Sequence, residues 1–491
     1  MNILDNLISF FNPEWGAKRE AWRQYSEAIR NYDAAGYGNG NANWRVVNQT
    51  AEITDRYNRD TVRARGRDLE RNSDMLNAVI SAFKRNVYGS GYTLRAKTGD
   101  EAIDGALTKA WVRWCKKRNC DVTCTQNFNQ LMRMCVQRKK VDGGIFILKR
   151  YTDQGFIPFQ LQTLEVDELD VTQIQPKHEG NKVVGGIEYN KWNRPKGYWF
   201  RQYDINGSQS LNPIYVDEKD VIFYFTKRRP SQIREMSDLS PTITRIRDVN
   251  EFMTAVSVKE RITACLAVFI KKTIPSNTPG RNGKTDKQRS YDGKMLAPGM
   301  IRELDPNDGI EIINPNGQGT DATTYIKLMQ HMISAGQGLS YEATSRDMKE
   351  TNYSSARQGM IEDGLTYNDE KELIIEIMDE IYETFVISCV LSGVVDIKNF
   401  WQEKDKYLAH SWAEAPKKWI DPGKEATANK IALNTGQKTF QEISAENGKD
   451  WREQMDDILE VLEYAEEKGL DMGGVLFGNE SLYKKQTINK E

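Results

Sequence analysis

The sequence GLSYEATSRDMKETNYSSAR, residues 338–357, is the most informative part of this 491-residue chain. It is polar, which predicts a flexible connection between two helices. Before it, apolar side chains recur at helical spacing at Tyr325, Leu328, Met329, Met332 and Ile333. After it, Ser354 and Ser355 offer N-cap hydroxyls to a helix that meets no proline as far as residue 391. At 1.5 Å per residue, this helix could reach roughly 50 Å.

The composition indicates a soluble protein of about three domains with large polar surfaces. Hydrophobic residues make up 39% of the chain and charged residues 28%. No apolar run approaches the ~18 residues that a membrane span needs. Lys18 and Arg19 follow the N-terminal apolar stretch instead of preceding it, which is the wrong order for a secretory signal. We therefore expect neither a membrane-spanning helix nor a signal peptide.

Six cysteines do not make a disulfide scaffold in a chain of this length. Four of them cluster, at Cys115, Cys120, Cys124 and Cys135, so a zinc site is one alternative. The cluster contains no C-x-x-C pair and no nearby histidine, so reduced intracellular thiols are the main expectation. No metal and no cofactor are expected.

Charge is distributed unevenly along the chain, although the net charge is only −2. Residues 1–150 hold 26 Lys and Arg against 16 Asp and Glu, whereas residues 421–491 hold 9 against 15. This asymmetry predicts ends that face different partners or neighbouring subunits. The alternative is a solvated surface whose charge is merely uneven.

The remaining patterns predict an α+β fold. Helical patterns are expected at residues 1–35, 111–120, 128–135 and 424–491. Strands are expected at 145–148, within the β-rich residues 156–225, around Met300 and at 309–313. Ser240 and Pro241 are predicted to begin a further helix that continues to Phe269.

Residues 63–72, RARGRDLERN, are a second distinctive segment. Its arginines are spaced for a helix, and Asp68 and Glu70 lie among them, which predicts ion pairs within the helix and between subunits. A DNA-binding arginine patch is the alternative. A glycine-containing strand is expected to follow at residues 86–91.

These segments resemble the lambda family of tailed-phage portal proteins. That family carries G-x-x-Y-E-x-L-x-x-D followed by N-Y-S-S-A-R, and R-x-R-x-R-D-L-x-R-N nearer the N-terminus. The chain departs from the family pattern at three positions: Thr344 replaces a leucine, Gly144 replaces a glutamate, and Glu235 replaces a glycine. The resemblance covers nearly the whole chain.

The resemblance implies a portal fold with a mixed α/β wing, a helical stem, a small α/β clip, a long wing helix and an α-helical crown. Residues 1–43 would be an N-terminal arm, 44–236 the first part of the wing, and 237–272 a stem helix. The clip would take residues 273–320 and the second stem helix 321–342. The last three parts would be the tunnel loop at 343–355, the rest of the wing at 356–420, and the crown at 421–491.

The function implied by the resemblance is that of a head–tail connector. The family forms a ring, usually a dodecamer, at one capsid vertex of the virion, after assembly in the host cytoplasm. The ring initiates head assembly, passes double-stranded DNA during packaging and ejection, and has four protein partners: the terminase large subunit, a head–tail adaptor, the major capsid protein and scaffold protein. Tunnel-loop residues near DNA would be Arg346, Lys349, Asn352 and Tyr353. Clip residues that dock the motor or connector would be Arg281, Lys284, Lys287 and Arg289.

Enzyme signatures are weak in this sequence. The three histidines, His178, His331 and His410, lie in unrelated contexts, and residues 278–285 end in G-K-T but have Thr278 where a P-loop has glycine. No enzymatic activity is expected. Two alternatives to a portal remain: a minor head protein with a portal-like core, and a nucleic-acid-processing packaging enzyme.

Overall fold

The computed structural model describes residues 13–15, 18–19, 21–22, 48–204, 206–207, 209, 212–264, 268–272, 308–312, 322–349, 351–415, 422–449 and 451–470. The chain divides into two compact units, Met1–Thr54 and Asp55–Glu491. In the first unit, the described residues from 13 to 22 are helical, in agreement with the predicted N-terminal helix. A short helix α1, Ala51–Asp55, lies at the boundary. The second unit contains all the elements that follow.

The first part of the second unit is mostly helical. It contains α2 (Arg59–Asn72), α3 (Asp74–Phe83), α4 (Glu101–Trp114), α5 (Lys117–Cys120) and α6 (Phe128–Asp142). The predicted helix at 111–120 is therefore two helices, separated at Cys115 and Lys116. The strand predicted at 86–91 is wrong, because α3 continues as a π-helical turn over Lys84–Tyr88. The strand β1 is Tyr92–Ala96, after a turn in which Gly89 and Gly91 have positive φ.

The β-rich region forms two sheets, as the alternating pattern predicts. One sheet has the order β3-β2-β8, from β2 (Gly144–Arg150), β3 (Gln160–Leu164) and β8 (Val221–Phe225). The other is a meander of β4 (Lys182–Val184), β5 (Ile187–Tyr189), β6 (Pro195–Phe200) and β7 (Ile214–Asp217). Strands β5 and β6 pair in antiparallel fashion within this meander.

Strand β2 separates two hydrophobic cores because successive side chains point to opposite faces. Ile145 and Ile147 pack into the main core with the helices, and Phe146 and Leu148 pack into a smaller core with the meander. Gly143, with φ +90°, ends α6 immediately before the strand, and a Cβ there would lie 2.5 Å from the carbonyl carbon of Met236. The strand predicted at 145–148 is confirmed, and it lies within β2.

The second half begins with α7 (Ile243–Ala264), followed by the antiparallel pair β9 (Val268–Lys272) and β10 (Asp308–Ile312). The helix predicted from Ser240 to Phe269 is too long at both ends. Residues 238–242 form turns in which the Thr242 hydroxyl donates to the Leu239 carbonyl oxygen at 3.1 Å, and Phe269 belongs to β9. The strand predicted at 309–313 is confirmed as β10, whereas Met300 lies outside the described residues.

The chain then continues with α8 (Ala322–Gly336), α9 (Tyr341–Ser345) and the 39-residue helix α10 (Tyr353–Leu391). After it come α11 (Lys404–Leu408) and β11 (His410–Glu414), which pairs with β1. Three helices close the described chain, as predicted: α12 (Pro422–Asn434), α13 (Phe440–Glu446) and α14 (Trp451–Glu467). None of the helices in the described ranges has the length and apolar content of a membrane span.

The main core joins α10 to the first helices. Trp111 packs edge-on against Tyr382 and Phe385 at centroid distances of 5.7 and 5.0 Å. Trp114 stacks on Phe159 at 5.3 Å and donates its indole N–H to the Phe159 carbonyl oxygen at 2.8 Å. The C-terminal half of α10 is therefore enclosed in the core, while its N-terminal half, which contains Met360, Ile361 and Leu365, is largely exposed.

Candidate functional site

The connection between α8 and α9 is fixed to the side of α10. Gly338 has φ +70°, and its carbonyl oxygen accepts the Thr366 hydroxyl at 2.6 Å. A Cβ at Gly338 would lie 2.9 Å from that hydroxyl oxygen, so the position requires glycine for space as well as conformation. The backbone N–H and the hydroxyl of Ser340 donate to the two oxygens of the buried Asp363 carboxylate, at 2.6 and 2.7 Å. Hydrogen bonds to Thr366 and Asp363 of α10 thus hold this end of the segment.

The first part of the predicted polar connection is the short helix α9. Ser340 is its N-cap and accepts the backbone N–H of Ala343 at 3.3 Å. Thr344, where the family has leucine, is buried, and its hydroxyl lies 2.6 Å from the Ser334 hydroxyl on α8. The threonine at this position therefore forms a hydrogen bond that a leucine could not make. Arg346 ends α9 in the left-handed conformation, φ +59°.

Residues 346–352 link α9 to α10 in the chain, and those that the structure describes, 346–349, 351 and 352, are not helical. Arg346 and Lys349 are exposed, and the backbone N–H of Lys349 donates to the Asp347 carboxylate at 3.2 Å. Asn352 is the N-cap of α10: its side chain accepts the Ser355 N–H at 2.8 Å, and the Ser355 hydroxyl accepts the Asn352 N–H at 3.1 Å. This reciprocal arrangement is a capping box.

Three of the four predicted tunnel-loop side chains thus lie within one link, at Arg346, Lys349 and Asn352. Tyr353 is the first residue of α10, and only its backbone is described. The predicted N-cap at Ser354 or Ser355 is wrong, because the N-cap is Asn352, although the Ser355 hydroxyl takes part in the same capping box. The predicted clip residues, Arg281, Lys284, Lys287 and Arg289, lie outside the described residues.

A buried charge cluster joins α6 to α10 beside this segment. The Lys139 ammonium lies 2.9 Å from Asp238 Oδ2 and 2.5 Å from Glu370 Oε1. Lys140 lies 3.8 Å from Asp238 Oδ2 and 3.5 Å from the centroid of the Phe83 ring. Gln337, immediately before Gly338, donates to the Asp238 carbonyl oxygen at 3.2 Å. The cluster therefore connects three helices and the segment that precedes α7.

In this cluster, the carboxylates act to raise the pKa of Lys140, and the cations act to lower the pKa of Asp238. Burial lowers the pKa of Lys140, and the carboxylates of Asp238 and Glu370 offset only part of that shift. Burial alone would raise the pKa of Asp238, but Lys139, Lys140 and Arg228 hold it below its usual value. No local sequence pattern indicates this cluster, because Asp238 and Glu370 are 99 and 231 positions from Lys139.

The arginines of α2 bind carboxylates within the chain. Arg63 contacts Asp60 at 2.6 Å, Asp167 at 2.8 Å and the fully buried Glu235 at 3.2 Å. The Arg67 guanidinium lies 2.7 Å from the Asp142 carboxylate. Burial alone would lower the pKa of Arg67, but the surrounding carboxylates raise it. The ion pairs predicted within the helix are confirmed by Arg63 with Asp60 and Arg71 with Asp68, whereas those predicted between subunits stay a prediction. Glu70 pairs with Arg138, and Asp68 lies 3.9 Å from Arg71 with both side chains exposed.

The histidines and cysteines take part in local packing. His178 Nδ1 lies 2.9 Å from the Glu188 carboxylate, His410 Nε2 lies 2.9 Å from Asp379, and the His331 ring stacks on Tyr341 at 4.2 Å. Burial raises the pKa of the Cys120 thiol to about 12, so this group carries a proton at neutral pH. Within the described ranges, no group of three or more His, Cys, Asp or Glu side chains is arranged to hold a metal ion.

Comparison with known proteins gives consistent matches. A sequence profile described as "Phage portal protein, lambda family" matches residues 37–370. The probable portal protein of Halomonas phage phiHAP-1 is 24% identical over 409 residues, which are 80% of this chain and 78% of that protein. Portal protein B of Escherichia phage lambda is 17% identical over 460 residues, 85% of this chain and 86% of that protein.

Solved structures with a similar chain include the virion of a native gene transfer agent particle. The aligned chain has 11% identity and a TM-score of 0.43, and the alignment covers 80% of this chain and 93% of that one. A chain in the neck of the native particle, computed with C12 symmetry, has 12% identity and a TM-score of 0.43, with 78% and 92% covered.

The family match spans more than half of the chain and includes both the α2 arginines and the link between α9 and α10. It thus contains the two segments whose sequence first indicated the resemblance. The chain belongs to the lambda family of phage portal proteins.

Proposed function

We propose that this protein forms a ring, usually a dodecamer in its family, around a DNA channel at one capsid vertex of the virion. The ring would start head assembly in the host cytoplasm and bind the major capsid and scaffold proteins. It would then dock the terminase large subunit during packaging and a head–tail adaptor afterwards. The family match over residues 37–370 is the observation that carries this proposal. The role is mechanical, and no enzymatic step is assigned to the chain.

The domain map proposed from the sequence fits this role. Residues 44–236 and 356–420 would form the wing, α7 and α8 the stem, residues 273–320 the clip, and α12 to α14 the crown. The clip would present Arg281, Lys284, Lys287 and Arg289 to the motor or connector. The antiparallel pair β9–β10, which stands between α7 and α8 in the chain, supports a separate small domain at this place.

Residues 346–352 are proposed as the moving part of the tunnel loop. Their flanks are held by Asp363 on one side and by the Asn352 capping box on the other, whereas Arg346 and Lys349 between them are exposed. A short link with fixed ends can move locally without disturbing the helices. A channel must also release phosphates quickly, because each added phosphate contact strengthens binding and impedes sliding. One exposed lysine per subunit suits a transient contact.

The experiment that tests this function replaces Lys349 by glutamate in the assembling particle. Since the side chain is exposed and lies outside a helix, Lys349→Glu should leave the ring yield unchanged while it lowers the yield of packaged DNA or lets DNA slip out. Lys398→Glu, another exposed lysine, is the matched control and should change neither yield. Normal packaging, retention and ejection with Lys349→Glu would show that this link does not act on DNA.

A further inference from the structure

One exposed helix face near the core is strongly basic. It is formed by the end of α4 and the start of α5, and it consists of Lys109, Val112, Arg113, Lys116, Lys117 and Arg118. We call it the basic face. The sequence has no acidic residue between Asp104 and Asp121. Within the described part of the chain, none of these five cations forms an ion pair. Val112 in the middle of the face is 60% exposed.

A second exposed face, on α10, is strongly acidic. Its residues alternate at three- and four-residue spacing, which places them in one row along the helix. The row, which we call the acidic stripe, is Glu362, Leu365, Asp369, Glu372, Glu376, Asp379 and Glu383. Asp379 and Glu383 have local partners in His410 and Lys404. For Asp369, Glu372 and Glu376, the described residues supply no cation. Leu365 is 59% exposed.

Each face is electrostatically unfavourable in an isolated chain. Like charges three or four positions apart on a helix repel each other and destabilise it. Lys109 and Arg113 form such a pair on the basic face, and Asp369, Glu372 and Glu376 form successive pairs on the stripe. A surface of opposite charge would remove this repulsion from both faces.

The two faces cannot neutralise each other within one chain as it is folded here. Helices α4 and α10 both bury their opposite sides in the main core, where Trp111 of α4 contacts Tyr382 and Phe385 of α10. The basic face and the acidic stripe therefore point away from that shared core and remain exposed. They are available to another molecule instead.

We propose that the basic face of one copy binds the acidic stripe of the next copy. Both faces are helical and opposite in charge, and each contains one exposed aliphatic side chain, Val112 or Leu365. The stripe from Glu362 to Glu376 is about 21 Å long, which is enough to cover the basic face. A contact between two different patches of identical chains is heterologous, and heterologous contacts generate a ring when the rotation between neighbouring copies closes. This inference rests on the proposed ring and assigns residues to its interface.

The test uses charge reversal of each face in the full-length chain. The first variant carries Lys109→Glu, Lys116→Glu and Lys117→Glu, and the second carries Asp369→Lys, Glu372→Lys and Glu376→Lys. Arg113 is left intact because its guanidinium lies 3.9 Å from the Phe156 ring centroid. A control variant reverses three exposed lysines elsewhere, Lys97, Lys182 and Lys398. Circular dichroism of each variant checks that the helices are retained.

Mass photometry of the purified proteins gives the readout. Wild type and control should form rings, and each reversal variant alone should need at least about tenfold higher concentration, because like charges then meet at every interface. An equal mixture of the two variants should form rings again, since a glutamate-bearing face now meets a lysine-bearing stripe on its neighbour. Rescue by mixing requires contact between different copies.

Three results would overturn the inference. Rings from either reversal variant alone at the concentration that suffices for wild type would show that the faces are not at the interface. Loss of assembly without rescue by mixing would mean that the faces bind a segment of their own chain or another partner. Normal rings from the first variant, together with weakened DNA binding, would assign the basic face to nucleic acid. If a reversal variant loses helix content, the corresponding glutamine substitutions replace it and must show the same concentration shift. A wild-type chain that forms no ring contradicts the proposed function itself.

Discussion

Glu235 shows how one carboxylate can organise several arginines. It is fully buried, and its carboxylate lies 3.2 Å from Arg63 and 2.9 Å from Arg234, while its carbonyl oxygen accepts Arg59 Nε at 2.9 Å. In the sequence, the position is recognisable only as a departure from the family's glycine. In the fold, the departure supplies a shared counter charge to buried guanidinium groups.

Glu235→Gln should therefore lower the free energy of unfolding by about 3–5 kcal/mol, the range for breaking a buried charge pair. Urea denaturation followed by circular dichroism measures the change. Asp60→Asn is the matched control, because Asp60 also binds Arg63 but is 82% exposed; it should lower the free energy by at most about 1 kcal/mol. Equal effects of the two substitutions would contradict the assigned role of Glu235.

At the scale of elements, the position of α10 depends on charges as well as on apolar packing. Lys139 of α6 contacts Asp238 and Glu370 together, so removing its charge leaves two carboxylates near each other without their shared cation. Lys140 differs, because it lies 3.8 Å from Asp238 and its pKa is lowered by burial. The two neighbouring lysines should therefore respond differently to the same substitution.

Lys139→Met should lower the free energy of unfolding by about 3–5 kcal/mol, whereas Lys140→Met should change it by less than about 1.5 kcal/mol. The pH dependence gives the second readout. The unfolded chain binds a proton at Lys140 more readily than the folded chain does, so stability rises as pH increases through the window below about 10.4. Lys140→Met should remove this rise. An unchanged alkaline profile would contradict the lowered pKa.

Asp238 contributes to the free energy of unfolding at the acid end of the same pH profile. Its folded-state pKa is lowered, so its contribution is present above the unfolded value of about 3.9 and is lost as the pH falls through the folded value.

The sequence predicted elements well where a pattern is local. The apolar period and the absence of proline placed α10 within a few residues of its observed bounds, and the glycine pair at 143–144 marked the start of β2. Errors arose where local signals compete. Ser354 and Ser355 are good caps, but Asn352 is as good and lies one turn earlier. Gly89 and Gly91 suggested a strand, although the preceding residues form a π-helical turn.

Long-range charge pairing was the part that sequence patterns could not predict. Lys139 and Lys140 are charged residues on a helix, and such residues are almost always exposed. Their burial depends on Asp238 and Glu370, which come from distant segments. The candidate site also combines a local and a long-range feature. The link at 346–352 was recognisable from its polarity, but the hydrogen bond from Ser340 to Asp363 that holds the preceding segment was not.

For the whole molecule, the family match assigns a portal protein, and the domain map proposes where partners bind. Deleting residues 276–296 should leave ring formation largely intact and abolish packaging, because the proposed clip docks the motor but does not contribute to the wing core. Ring yield by mass photometry and packaged DNA in assembled particles are the two readouts. Unfolding of the entire chain would show that this segment belongs to a core.

The account rests most directly on ring formation, and electron microscopy of the purified 56.3 kDa chain tests it. Negatively stained particles should be rings with a central hole wide enough for duplex DNA, and their mass should be an integral multiple of the chain mass, about twelvefold for a dodecamer of the kind usual in the family. Particles that remain monomeric at high protein concentration, even when scaffold and capsid proteins are present, would contradict the account.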